Sequence, residues 1–413
     1  MVCGTSPHIV RIMRNLPFPV WRLMFAYALM MAGISMMVLI AGIIGTEFAP
    51  SAGLATLPIA LSVVGVASST LPTGKLLHRF GRRPVFIVYG FIAICAAALA
   101  SASLVLGFFS GFCLAGFLMG WSAAAGHQYR FAALELVPAQ LAPKATSVLL
   151  LGGILSAFVG PELAVLGRNL LATEFAGSFL LLAGSYAAGL VIISFHHERK
   201  TGPSRQHSKG RPLGEILRSP VVILAICSAS LAYGVMTFMM TATPISMHKH
   251  SGLSLEVTKF VIQSHIVAMY LPSLVYAWLF GKFGFRGMLW SGVIIYLACL
   301  GIALINTQFI HYWLSLVLLG IGWNFLFLSG TNLLPYGYRP EERFRVQSVN
   351  DFLVFSIQAI AALSSGWFLY QWQWHGLLLA SVPLVVAFTL LLWFTQVIGH
   401  DTSPTDIAVD AEQ

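Results

Sequence analysis

Apolar residues along this chain do not alternate with polar ones. They gather in long runs near residues 20–45, 54–76, 85–104, 106–134, 145–167, 175–195, 219–243, 256–280, 287–306, 311–334, 347–370 and 376–398. A helix of about 20 apolar residues spans the hydrocarbon core of a bilayer. Inside lipid the backbone N–H and C=O groups have no water to bond, so each spanning run must be helical. The pattern predicts an all-α membrane protein with twelve transmembrane helices. The fourth run is long enough to project beyond the lipid. The run that follows Met1–Arg22 is about 24 residues long and reads as a spanning anchor rather than a signal-peptide core.

Composition agrees with this picture. The chain is 58% hydrophobic and 9% charged, with a mean hydropathy of +0.83. Soluble domains carry about 25% charged residues, so too little polar surface remains to face water. Net charge is +9, and its distribution decides what that means. With the N-terminus in the cytoplasm, Lys and Arg fall 20 on the cytoplasmic side and 3 (Arg168, Lys249 and Lys259) on the other. This is the positive-inside asymmetry. A belt of cations along the membrane, rather than one clustered patch, gives no support to a nucleic-acid partner. The five cysteines, Cys3, Cys95, Cys113, Cys227 and Cys299, show no metal or disulfide spacing.

The longest polar stretch, His196 to Pro220, divides the chain near its midpoint. The expected organisation is a cytoplasmic tail at 1–19, a six-helix bundle at 20–195, a cytoplasmic linker at 196–219, a second six-helix bundle at 220–398 and an acidic cytoplasmic tail at 399–413. The halves echo each other. Ala32-Gly33 answers Tyr233-Gly234, and Phe80-Gly81-Arg82-Arg83 answers Phe283-Gly284-Phe285-Arg286. Met119-Gly120-Trp121-Ser122 answers Ile321-Gly322-Trp323-Asn324, and Pro138 answers Pro340. A near-constant offset in the same order points to a duplicated six-helix unit, the plan in which one bundle rocks against the other about a midplane site.

The most specific motif follows the second run: Gly74-Lys75-Leu76-Leu77-His78-Arg79-Phe80-Gly81-Arg82-Arg83. Gly74 allows close helix packing, Gly81 a tight turn, and the arginines anchor at anionic headgroups or pair with carboxylates. This loop resembles the Gly-x-x-x-Asp-Arg-x-Gly-Arg-Arg/Lys pattern of the major facilitator superfamily, with His78 in place of the acid. The resemblance implies two six-helix bundles related by pseudo-twofold symmetry, and alternating access. It also implies a cytoplasmic latch from Gly74, His78, Arg79, Gly81, Arg82 and Arg83 to the start of the eleventh helix, where Asp351 lies. A His78–Asp351 contact would depend on pH; Arg79 or Arg82 pairing with Glu135 is favoured over it. In the fifth run, Gly160-Pro161 resembles the centre of an exporter motif of that family and marks a kink where small residues pack. The mid-helix arginine common in the family's proton-coupled exporters is absent at Gly116, and Arg130 lies lower in the fourth run.

Ionisable groups within spans are functional candidates by default. Glu162, Arg130, His127 and His265 are the candidates for proton or substrate coupling, each weighed against a structural role in packing or pairing, such as Glu162 with Arg168. Tyr27, Trp121, Tyr233, Trp323, Asn324, Asn332 and Gln358 are candidates to line a cavity, weighed against interhelical hydrogen bonding. His248-Lys249-His250 lacks acids nearby and is not read as a metal site. Neither a phosphate-cradling loop nor a hydrolase triad appears, so no enzyme activity, cofactor or ATP-driven step is expected. The sequence is read as a monomeric transporter of a small molecule, coupled to protons and placed in the bacterial cytoplasmic membrane. Export of a small organic compound is favoured. Uptake of a metabolite or siderophore, and a membrane scaffold or receptor without flux, stand as alternatives.

Overall fold

The computed structural model describes residues 16–129, 132–133, 136–137, 142–195 and 210–395. Among them there is no strand. The helices are α1 (Phe18–Phe48), α2 (Leu57–Phe80), α3 (Arg82–Val105), α4 (Phe109–Gly126), α5 (Ala142–Gly167), α6 (Ala176–Ser194) and α7 (Pro220–Ile245). After α7 a π-helical turn, Ser246–His250, leads to α8, which runs over Leu255–Tyr270 and, past a turn at Leu271-Pro272, over residues 273–283. Gly284 divides the continuous helical stretch Ser273–Ile305, so α9 is 285–305. Next comes α10 (Phe309–Leu333). Gln373 divides Arg343–Phe394 into α11 (343–372) and α12 (374–394).

Among the described residues, nine helical segments are long and apolar enough to cross a membrane. Separating α11 from α12 and adding the shorter α5 and α8 gives the twelve spans of the hydropathy pattern. The fourth differs from expectation: its regular helix ends at Gly126, and His127-Gln128 form a turn. Helical residues follow the turn at 129 and 132–133.

The turns that join α2 to α3 and α8 to α9 share one rare backbone conformation. Gly81 has φ 82 and ψ 173, and Gly284 has φ 60 and ψ −173. Only glycine enters that region without strain. The two positions lie 203 residues apart, so the duplication seen in sequence is also a duplication of turn geometry.

The chain forms two compact units. One takes the described residues up to Met37 and from Ser68 to 195; the other takes Val38–Ala67 and the described residues from 210. In the first unit α3 packs on α6, where a Cβ on Gly90 would stand 2.8 Å from the Leu190 side chain. The Ser122 hydroxyl donates to the Tyr89 carbonyl at 2.6 Å, tying α4 to α3. The Tyr89 hydroxyl meets Thr73 at 2.8 Å, tying α3 to α2. In the second unit Ser228 donates to the Leu326 carbonyl at 2.8 Å, Tyr296 to Ala232 at 2.8 Å and Ser365 to Phe238 at 2.7 Å. The tip of the first hairpin belongs to this unit for visible reasons. A Cβ on Gly366 would stand 2.1 Å from the Thr56 hydroxyl, and Lys249 pairs with Glu47. Small residues and hydroxyls carry these contacts because lipid offers no hydrophobic drive for helices to associate. Large apolar side chains such as Phe91, Ile294 and Ile360 are instead exposed, as lipid-facing positions require.

Candidate functional site

The second unit holds an aromatic cluster drawn from four helices. Tyr233 of α7 sits edge-on to Trp323 and Phe327 of α10, at centroid separations of 5.3 and 5.2 Å, and to Phe355 of α11 at 5.9 Å. Tyr270, the last residue before the break in α8, meets Trp323 at 6.3 Å. Trp323 and Phe327, one helical turn apart, stack at 4.9 Å. Trp323 is 4% exposed, and its Nε1–H has no hydrogen-bond partner among the described residues.

The next residue of α10 opens a polar network. Asn324, 1% exposed, donates through Nδ2 to the Met269 carbonyl at 2.7 Å and to the Ser273 hydroxyl at 2.6 Å. These bonds bracket the turn where Pro272, lacking an N–H, interrupts α8. Asn324 thus supplies a side-chain donor to the Met269 carbonyl beside this turn. Its Oδ1 is buried without a partner among the described residues. Nearer the linker end, the Tyr276 hydroxyl meets Ser329 at 2.9 Å, and Asn332 is exposed. Gln358 is half-buried on α11.

His265 is fully buried in the contact between α8 and α10. Its Nδ1 lies 2.7 Å from the Leu316 carbonyl. A carbonyl only accepts, so Nδ1 carries the proton and the ring is held as that tautomer. The His265 backbone carbonyl lies 2.6 Å from where a Cβ on Gly320 would stand, so the two helices approach closely here.

In the first unit, Gly160 of α5 lies against α1. A Cβ there would stand 2.1 Å from the Ala32 carbonyl oxygen and 2.9 Å from the Met36 nitrogen. Pro161 follows inside the helix, and Glu162 is half-buried beside it. Arg168, the candidate structural partner of Glu162, bonds Glu174 at 2.5 Å and covers the Phe175 ring. Tyr27 meets Tyr129 at 6.3 Å. Trp121 packs on Phe117 at 5.8 Å. His127 caps α4. Arg130, Glu135 and the side chain of His78 lie outside the described residues.

In the loop after α2, a Cβ on Gly74 would meet nothing within 4 Å among the described residues. Arg79 lies over the Phe80 ring at 5.1 Å, Gly81 makes the positive-φ turn, and Arg82 and Arg83 open α3. Asp351, on the first turns of α11, accepts from Asn350 at 3.1 Å.

One further site, which the sequence does not announce, joins Arg211, just before α7, to Glu342, just before α11. Nη2 and Nε of Arg211 reach the two carboxylate oxygens at 2.8 and 3.0 Å, and the Arg211 backbone N–H donates at 2.7 Å. The Arg339 N–H adds a bond at 2.9 Å, and the Glu342 side chain is fully enclosed. The bond from the Arg211 guanidinium, with the backbone donors, holds the Glu342 carboxyl at about 2. Arg211 is one of many cations that the positive-inside pattern explains, and Glu342 stands beside Glu341 among Arg339 and Arg343, so no local signal sets the pair apart.

Known proteins share this architecture. The family model described as Major Facilitator Superfamily matches residues 23–357. The chain is 34% identical over 347 residues to the riboflavin transporter RfnT of Brucella anthropi, covering 83% of this chain and 87% of that one. It is 29% identical over 360 residues to the uncharacterized MFS-type transporter YddS of Bacillus subtilis, covering 81% of each. Among solved structures, a mutant of the nucleoside transporter NupG superposes with a TM-score of 0.74 at 11% identity, covering 91% of this chain and 100% of that one. A D-xylose-proton symporter superposes at 0.69 and 14% identity, covering 91% and 97%. At such identities the likeness is one of fold.

Proposed function

The chain belongs to the major facilitator superfamily as a multi-pass membrane transporter, and from that premise we propose that it carries riboflavin, or a flat heterocycle closely like it, into the cell. The observation that carries this reading is the 34% identity to a riboflavin transporter over most of both chains. The aromatic cluster around Trp323 supports it, since stacked rings suit a planar aromatic substrate. A vitamin that cells consume as a cofactor precursor favours inward movement, which reverses the export direction favoured from Gly160-Pro161. In this structure Gly160 is spent on the close approach to Ala32, a packing role that fits either direction.

The mechanism is alternating access in a monomer, with both termini in the cytoplasm and the chain in the bacterial cytoplasmic membrane. The relatives named above come from bacteria. Proton coupling through Glu162 is part of the proposal: it is a half-buried carboxylate beside the Pro161 position within α5. The loop Arg79–Arg83, with Gly74, His78, Glu135 and Asp351, serves as the cytoplasmic latch. His127, Arg130 and His265 remain the accessory coupling candidates.

The test is flux in proteoliposomes holding the purified full chain. Radiolabelled riboflavin should accumulate when the outside is acidic, and the accumulation should collapse with a protonophore. Exit from preloaded vesicles with no uptake in either orientation would replace import by export. A bound but immobile ligand would favour the receptor-like alternative.

A further inference from the structure

We propose that the end of α8 holds one anionic phospholipid, with its phosphate at Lys282, its headgroup over Gly281 and an acyl chain along the exposed face of the helix. This binding site is separate from the transport reading and does not rest on it.

Leu274, Val275 and Trp278 fall on one face of α8, within a single helical turn of one another. They are 62, 50 and 62% exposed. On a spanning helix that exposure is contact with lipid. The stripe ends in a cation. Lys282, one turn beyond Trp278, carries its ammonium 4.0 Å from the centre of the Trp278 ring. Gly284, with its positive φ, then ends α8, so Lys282 stands where the span meets the headgroups. Arg286, also exposed, adds a second cation to the same turn.

The direction of the Lys282 side chain sets it apart from a residue that only fixes topology. A lysine near the end of a span usually snorkels toward water. Side chains of a helix lean toward its N-terminus, and at the end of α8 that lean points back along the span. Lys282 follows it and lies on an exposed tryptophan. Tryptophan sits at headgroup level, and phosphate is the anion present at that depth. Protein supplies no substitute. No Asp or Glu occurs between Glu256 and Glu341, and among the described residues Lys282 has no carboxylate partner.

Room for a headgroup lies beside the ammonium. Gly281 is exposed, three residues after Trp278 and next to Lys282. Residues three and four apart are neighbours on a helix surface, so the glycine leaves bare backbone beside the ring. Beyond its neighbours in sequence, a Cβ on Gly281 would meet nothing within 4 Å among the described residues. The repeat shows that charge alone does not make this arrangement. Arg79 stands at the position matching Lys282, over the exposed Phe80 ring. Lys75 and His78 stand where the second unit has Trp278 and Gly281. The first unit therefore has the cation without the tryptophan or the glycine, and the site belongs to the second unit.

The experiment is native mass spectrometry of the purified full chain, titrated with phosphatidylglycerol or phosphatidylcholine. The wild type should retain phosphatidylglycerol more tightly than phosphatidylcholine. Lys282→Gln should weaken one phosphatidylglycerol site about fivefold, the effect of one basic residue at an anionic surface. Gly281→Leu keeps every cation and fills the bare patch, and it should weaken the same site. Arg218→Gln, which removes an exposed cation away from the stripe, should change nothing. Equal retention of the two lipids by the wild type overturns the proposal, and that arm needs no variant to fold. An equal loss in Arg218→Gln overturns it in favour of a diffuse positive surface. Unchanged binding in Gly281→Leu also overturns it. Displacement of the lipid by glycerol phosphate would make the ligand a soluble phosphate, and a doubled mass lost in Lys282→Gln would put a second copy of the chain on the stripe; either result overturns the lipid assignment.

Discussion

Arg211 and Glu342, 131 residues apart in sequence, meet in a two-pronged ion pair whose carboxylate is fully enclosed. The pair ties the segment entering α7 to the short 3₁₀ turn Pro340–Glu342 that enters α11. A Cβ on Gly210 would stand 2.5 Å from the Glu342 side chain, so the backbone approaches the carboxylate as closely as the guanidinium does. Removing one partner of an enclosed pair strands the other. Arg211→Ala should cost about 3 kcal/mol, measured as a lowered thermal midpoint in detergent.

The same pair predicts a pH dependence. Glu342 is held at about 2 in the folded chain, below the roughly 4.3 of a free glutamate. A carboxyl depressed by folding stabilises fully above its unfolded value, and that stabilisation is lost as pH falls through the folded one. Thermal midpoints should hold between pH 7 and pH 5 and then fall toward pH 2. Glu342→Gln should melt lower at pH 7 and show a shallower acid slope. An identical acid slope in the variant would mean that another group carries the acid transition.

Gln373, the hinge between α11 and α12, has φ 56 and ψ −170. Gly284 occupies the same region between α8 and α9, and there glycine enters freely. A side chain in this conformation costs on the order of 1–3 kcal/mol. Gln373→Gly should therefore raise the thermal midpoint, and a β-branched substitution should lower it.

Two glycines that look alike in sequence should respond in opposite ways. Gly160→Ala drives a methyl to 2.1 Å from the Ala32 carbonyl oxygen, which only separation of α1 and α5 relieves. A loss of about 2 kcal/mol is expected for such overpacking. Gly74→Ala meets nothing within 4 Å and gains helix propensity of up to about 1 kcal/mol. Melting curves of the two variants separate the cases.

Glu162 should matter to coupling more than to folding. Glu162→Gln should preserve exchange of riboflavin down its gradient and reduce accumulation driven by a pH gradient at least tenfold. Full pH-driven accumulation in the variant would move proton coupling to another group.

The sequence determined the number of spans, since each needs its own length of apolar chain, and it determined the repeat, since Gly81 and Gly284 stand in matching contexts. It also marked Trp323 and Asn324 as unusual within a span. Tertiary structure decided what those residues touch. That Asn324 bonds α8 at its Leu271-Pro272 turn, that Gly160 rather than Gly74 is crowded, that Val38–Ala67 groups with the second unit, and that Arg211 finds Glu342 are facts about residues brought together from distant parts of the chain. Hydropathy and spacing are local properties that one helix expresses alone. Hydrogen bonds, ion pairs and close approaches need two helices, and no local pattern encodes which neighbour arrives.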